Sequence, residues 1–312
     1  MISRKVDKSY KEIKLNEKIT KQDIDDLNLT KDLKNTLVQK LCLAVYGGTD
    51  SILISKILGI AQNALMSNYS LISGYVTTVM TKLLNPFQAA ISNYVYDKSI
   101  EDHDSLFFMF DRIGFFMACF ISTSFYVLFN PFIALVFGEK YVLSSLFVLA
   151  FSVNQYIAYD HKFLGFYRTA FGKFEMDKGF TFIAAVLNLI TSIWLAHYIG
   201  IAGIMFGTVI GHMGFWIGRA KVVYSEYMSE SVIKYVGRQC INVVLWGAEI
   251  ILTAWICSFL GTSLGDFVLR VIACALIPNA INFVLFLKTP SMKMIFRYIG
   301  KTKQVVVNRK AN

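Results

Sequence analysis

Charge is scarce in this chain. Only 17% of its 312 residues are Asp, Glu, Lys or Arg, against about 25% in soluble domains, and they sit in short blocks. The glycine loops that cradle nucleotide phosphates are missing: neither GxGxxG nor GxxxxGK followed by Ser or Thr occurs. Cysteine is sparse as well. Cys42, Cys119, Cys240, Cys257 and Cys274 lie in or beside apolar runs without CxxC spacing, which supports neither a disulfide frame nor a zinc site. They read as small buried apolar residues. His197 and His212 have no convergent ligand partners, so no metal or cofactor is expected. The first 36 residues lack the apolar h-region of a signal peptide. The expectation is that the first span acts as its own insertion signal.

Long apolar runs fill the rest. The chain is 55% hydrophobic and 15% aromatic, with a mean hydropathy of +0.51. A helix needs about 20 apolar residues to cross roughly 30 Å of hydrocarbon. Eight segments are long enough: 37–60, 65–95, 113–138, 141–165, 179–199, 201–220, 239–261 and 265–287. No soluble domain of this size hides so many. The predicted fold is therefore an all-α polytopic membrane helix bundle with about eight transmembrane helices. Pro86 predicts a kink or break in the second.

Alternate connections carry the basic residues. Segments 1–36, 96–112, 166–178, 219–238 and 288–312 hold 25 of the 31 Lys and Arg. The opposite turns, around 61–64, 139–140, 200 and 262–264, hold only Lys140. By the positive-inside rule both termini are predicted to be cytoplasmic in a multi-pass protein of the cell membrane. The net charge of +10 is thereby explained without nucleic acid, which is not expected as a partner. The external turns are too short to build a catalytic site, so no enzyme is expected. The chain divides into a basic, amphipathic cytoplasmic segment (1–36), a six-helix membrane lobe (37–220), a cytoplasmic loop (221–238), an extra helix pair (239–287) and a basic tail (288–312). Within the first of these, Thr20 reads as an N-cap with Asp23 three residues on. Ile24, Leu27, Leu33 and Leu37 recur at helical spacing.

Polar residues inside spans are expensive, costing about 2.5–3.5 kcal/mol at mid-depth on insertion scales, and are functional candidates by default. Asp50 and Lys82 are expected to face a shared hydrated cavity or each other. Asp160, His161 and Lys162 cluster near the inner end of the fourth span, followed by Arg168. Glu249 lies mid-span in the seventh. Asp50 and Glu249 are the coupling-ion candidates. Lys56 reads as a snorkelling residue, and Asp266 with Arg270 as an i,i+4 ion pair at the outer interface. Gly203, Gly207 and Gly211, followed by Gly214 and Gly218, form a small-residue stripe on the sixth span, a surface for close helix packing.

Three stretches carry a family resemblance: GGTDSILISKILGIAQNALMSNYSLISGYV (47–76), FYRTAFGKFEMDK (166–178) and AAVLNLITSIWLAHYIGIAGIMFGTVIGH (184–212). Their order and spacing resemble the polysaccharide flippases of the multidrug/oligosaccharidyl-lipid/polysaccharide exporter superfamily, over about residues 35–290. The resemblance implies one lobe of a two-lobed transporter plus an extra helix pair. Such transporters move undecaprenyl-diphosphate-linked oligosaccharides from the inner to the outer leaflet for surface polysaccharide synthesis. It also implies a truncated or split half, since the family carries another six-helix lobe. A separately encoded N-terminal lobe or a second copy is the expected partner, beside membrane lipid and the lipid-linked oligosaccharide. On this reading Lys82, Lys162 and Arg168 suit the diphosphate. Asn68, Tyr69, Tyr75 and Asn85 suit sugar hydroxyls and sugar faces, and Asp50 pairs with a Lys in one state and releases it in another. Three other readings stay open. They are a cation-coupled exporter of the same superfamily, a non-transporting membrane scaffold, and a membrane glycosyltransferase, which would need a large external loop that the sequence lacks.

Overall fold

The computed structural model describes residues 29–97, 100–172, 174–298 and 300. Helices account for nearly all of them, and no strand occurs among the described residues. The elements are α1 (Leu29–Leu53), a π-helical turn (Ile54–Leu58), α2 (Ile60–Asp97), α3 (Ile100–Val136), α4 (Ser145–Asp160), α5 (Lys162–Ala170), α6 (Phe174–Ile199), α7 (Ile201–Tyr227), α8 (Val232–Ser258) and α9 (Leu264–Phe286). Thr20, Asp23, Ile24 and Leu27 of the expected amphipathic segment lie outside the described residues.

Among the described residues, five helices are long and apolar enough to cross a membrane: 104–136, 178–199, 201–225, 232–258 and 264–286. They make this a multi-pass membrane protein. The other three apolar segments are helical but fall short for different reasons. In α1, Lys31, Asp32, Lys34, Lys40 and Asp50 dilute the apolar run. In α2 nearly every turn carries Ser, Thr, Asn or Gln. The segment at 141–165 is divided: α4 has only 16 residues and ends at His161, after which α5 begins.

The helices also outrun their apolar stretches. At 1.5 Å per residue the 37 residues of α3 span about 55 Å, so its first turns stand beyond the hydrocarbon. The connection at 221–238 contracts to Met228–Ser231, with α7 and α8 running in from both sides. Pro86 does not break α2, which is helical throughout Ile60–Asp97.

Helices in lipid gain little from hydrophobic contrast with each other. Close packing and interhelical hydrogen bonds hold them together. The tightest pair is α6 and α7, joined at Gly200, whose φ of 59° is a backbone conformation suited to glycine. A Cβ at Gly203 would overlap the Leu195 carbonyl, one at Gly207 would overlap Ser192, and one at Gly218 would overlap Phe180. The small-residue stripe is thus the floor of the α6–α7 contact. Around this pair, α1 packs on α6, α4 on α3 and α7, and α2 on α5. The α8–α9 pair lies against α3.

The turn between α8 and α9 corrects one expectation. Arg270 does not form a direct salt bridge with Asp266. Its guanidinium donates to the carbonyls of Leu260 (2.7 Å) and Gly261 (3.2 Å) at the end of α8. Asp266 closes a capping box with Ser263 at the start of α9. Each charge serves a helix end, where the backbone has unpaired groups to offer. Lys56 is exposed, as a snorkelling residue requires.

Candidate functional site: a basic cavity between α2, α4, α5 and α7

The break at His161 decides where three adjacent polar residues go. Asp160 closes α4 and turns into the bundle, where it is 1% exposed. His161, whose Nε2 lies 3.2 Å from the Asp160 carboxylate, and Lys162 line a cavity of about 350 Å³. Arg168 on α5, Arg219 on α7 and Gln88 on α2 complete its polar wall. The His161 ring lies against Trp216, centroids 4.7 Å apart. Lys162 and Arg219 rest over Phe166 and Phe215, 5.8 and 5.7 Å from the ring centroids. His212 also lines the space. Lys162, Arg168, Arg219 and two imidazoles face one volume, and no carboxylate lines it among the described residues. Its electrostatics favour an anion with several oxygens, the chemistry that Arg and Lys bind best.

Lys162 joins this cavity to a second one of about 180 Å³, walled by Thr77 and Thr81 of α2 and by Gln155 and Tyr159 of α4. The lysine therefore connects the basic volume to the hydroxyl-rich side of α2.

The other expected substrate residues do not gather here. Lys82 and Asn85 are exposed on α2, and Asn68 is half-buried. Lys82 forms no ion pair with Asp50, so of the two expected arrangements they do not face each other. Instead, Thr208 Oγ1 donates to the Asp50 carboxylate, lying 2.9 and 3.1 Å from its two oxygens. The Asn188 amide donates to Thr208 Oγ1 at 3.2 Å, and Ser192 donates to the Ile204 carbonyl at 3.2 Å. The result is an oxygen-rich node tying α1, α6 and α7. Tyr69 also lies apart from this cavity. It is fully buried. Its hydroxyl donates to Asn130 Oδ1 at 2.7 Å and accepts from Leu143 N–H at 2.8 Å. Asn130 in turn donates to the Leu143 carbonyl at 3.0 Å. This closed set pins α2, α3 and the α3–α4 connection. Tyr75, by contrast, is 69% exposed.

Several polar residues that the sequence reading passed over are buried in the bundle. Asp111 accepts from Gln239 Nε2 at 3.1 Å, and Asn242 donates to Gln239 Oε1 at 3.0 Å. The Arg112 guanidinium stacks on Phe286, 3.5 Å from the ring centroid. On α8, Tyr235, Gln239, Asn242, Trp246, Glu249, Thr253 and Cys257 are all buried. Their spacing of three and four residues puts them on one helix face.

No protein-family model, curated protein or solved structure matches this chain.

Proposed function

We propose that this protein is a membrane transporter that moves a lipid-linked oligosaccharide, carried on undecaprenyl diphosphate, from the inner to the outer leaflet. It acts as one lobe of a two-lobed machine of about eight spans. Both termini face the cytoplasm, by the placement of Lys and Arg. The observation that carries the reading is the basic cavity of Lys162, Arg168 and Arg219. A diphosphate needs clustered cations to leave water, and a cavity of this size accepts a headgroup. In the proposed orientation the cavity lies toward the cytoplasmic end, where such a substrate is loaded. The hydroxyl-bearing side of α2, reached through Lys162, meets the sugar. The second lobe supplies the facing wall, because alternating access rocks one bundle against another around a central site.

A second reading, a cation-coupled exporter, draws on the Asp50 node. The Asp50 carboxylate and the Thr208 hydroxyl meet there, with the Asn188 amide donating to that hydroxyl, and oxygen ligands suit a small hard cation.

The test is reconstitution in vesicles with a fluorescent lipid-linked oligosaccharide, together with a co-expressed partner lobe. Labelled lipid should move between leaflets with wild-type protein and stop with Lys162→Glu/Arg219→Glu. Undiminished movement with the charge-reversed variant would reject the reading.

A further inference from the structure

The interior face of α8 meets α3 and α9 at Glu249. This carboxyl is 1% exposed, and among the described residues its oxygens meet no charged group and only loosely placed partners, a thiol and an amide. Its polar neighbours are Cys119 of α3 and Asn282 of α9. Both are fully buried. Thr253, one turn on, donates its hydroxyl to the Glu249 backbone carbonyl and leaves the side chain unserved. Trp246, one turn back, is stacked on Tyr156 of α4 with ring centroids 4.3 Å apart.

The surrounding charges do not neutralise it. On α3, Arg112 lies two turns from Cys119 and spends its guanidinium on the Phe286 ring. Asp111, one residue before it, is held by Gln239. On α4, Asp160 is buried with His161 Nε2 at 3.2 Å, and Tyr156 carries no charge. On α8 itself, Arg238 is paired with Glu230 at 2.6 Å. On α9 the facing groups are Asn282 and Cys274. An ionised carboxylate in this interface would be buried without a counter-charge, a costly arrangement.

We propose that Glu249 is a proton-binding site whose proton holds α9 closed on α3 and α8. The step is simple in its balance. A proton from water bonds to one carboxylate oxygen, giving a neutral carboxylic acid with a donor to offer its neighbours. Loss of that proton to water leaves a bare anion and favours separation of the three helices, so that water reaches it. A metal cation fits poorly. A hard cation needs a shell of about six oxygens. Here the neighbours are one amide, one thiol and an indole, and no group of three metal-ligating side chains occurs among the described residues. The inference stands apart from what the basic cavity binds.

Infrared spectroscopy of the full-length protein in lipid nanodiscs tests it. A protonated carboxylic acid has a carbonyl stretch distinct from that of a carboxylate. At neutral pH the wild-type protein should show that band, sensitive to deuterium and moved by isotope-labelled glutamate but not by isotope-labelled aspartate. Glu249→Gln should remove it, and alkaline pH should bleach it in the wild type. The glutamate label reads the same group without any substitution, so a variant that fails to fold leaves the test intact. Absence of a glutamate-derived band at neutral and acidic pH would overturn the proposal. So would a band that sodium chloride removes at constant pH, which would mark a metal-cation site.

Discussion

Thr208 Oγ1 lies 2.9 Å from Asp50 Oδ2, across the contact between α7 and α1. The bond satisfies a carboxylate that would otherwise be stranded inside a membrane helix bundle, and it joins helices 158 residues apart in sequence. Thr208→Val removes the donor. The expected loss is about 1 kcal/mol, between the ~0.6 kcal/mol mean of membrane hydrogen bonds and the roughly 1–3 kcal/mol of an unsatisfied buried group. Thermal unfolding in detergent measures it. An unchanged Tm would show that Asp50 has another partner.

Tyr69→Phe should destabilise the protein by about 1–3 kcal/mol, because Asn130 Oδ1 and the Leu143 N–H both lose their partner. Affinity for a lipid-linked sugar should stay as it was. A variant with normal stability and weakened sugar binding would restore Tyr69 to the substrate site.

Gly207 and Gly74 make a matched pair. A Cβ at Gly207 meets Ser192 side chain and backbone, whereas one at Gly74 meets nothing within 4 Å. Gly207→Leu should separate α6 from α7 and cost about 1–3 kcal/mol or more, seen as aggregation in size-exclusion chromatography. Gly74→Leu should elute as the wild type does. Equal behaviour of the two would dismiss the stripe as a packing surface.

The proposed orientation rests on the placement of Lys and Arg. A reporter active only outside the cytoplasm, fused after Lys140, should give signal, and the same reporter after Asn312 should give none. Signal at Asn312 would invert the topology and move the basic cavity to the outer face.

Some of this was open to reading and some was not. The glycine stripe was legible because residues four apart share a helix face and their missing side chains act directly on approach distance. The apolar segments found helices by length, since about 20 apolar residues in a row match the thickness of a bilayer. Asp111 and Arg112 escaped because a hydropathy window ends where charge begins, while the helix continues back to Ile100. The α8 face was readable in principle: Gln239, Asn242, Trp246, Glu249 and Thr253 repeat at three and four. Averaging over an apolar helix hides such a file. The break at His161 left no signal, since neither Gly nor Pro marks it. Tyr69 shows the limit of residue type. A tyrosine beside Asn and Ser suits a sugar equally well, and only the fold reveals that Asn130 and Leu143 already hold it. Arg219 went unmarked because it stood at the edge of a loop, and only α7 carries it back to Lys162.

Undecaprenyl diphosphate and undecaprenol share a tail and differ in the charged headgroup, so their contrast isolates what the basic cavity does. Binding of both to the purified protein, measured by native mass spectrometry in parallel with Lys162→Ala/Arg219→Ala, is the most direct measurement. The diphosphate should bind at least about tenfold more tightly than the alcohol, as loss of a charge-assisted hydrogen bond of roughly 1.5–3 kcal/mol implies. The double variant should erase that preference while leaving binding of the alcohol unchanged. Equal affinity for the two lipids, or a preference that survives in the double variant, would contradict a diphosphate site at Lys162 and Arg219.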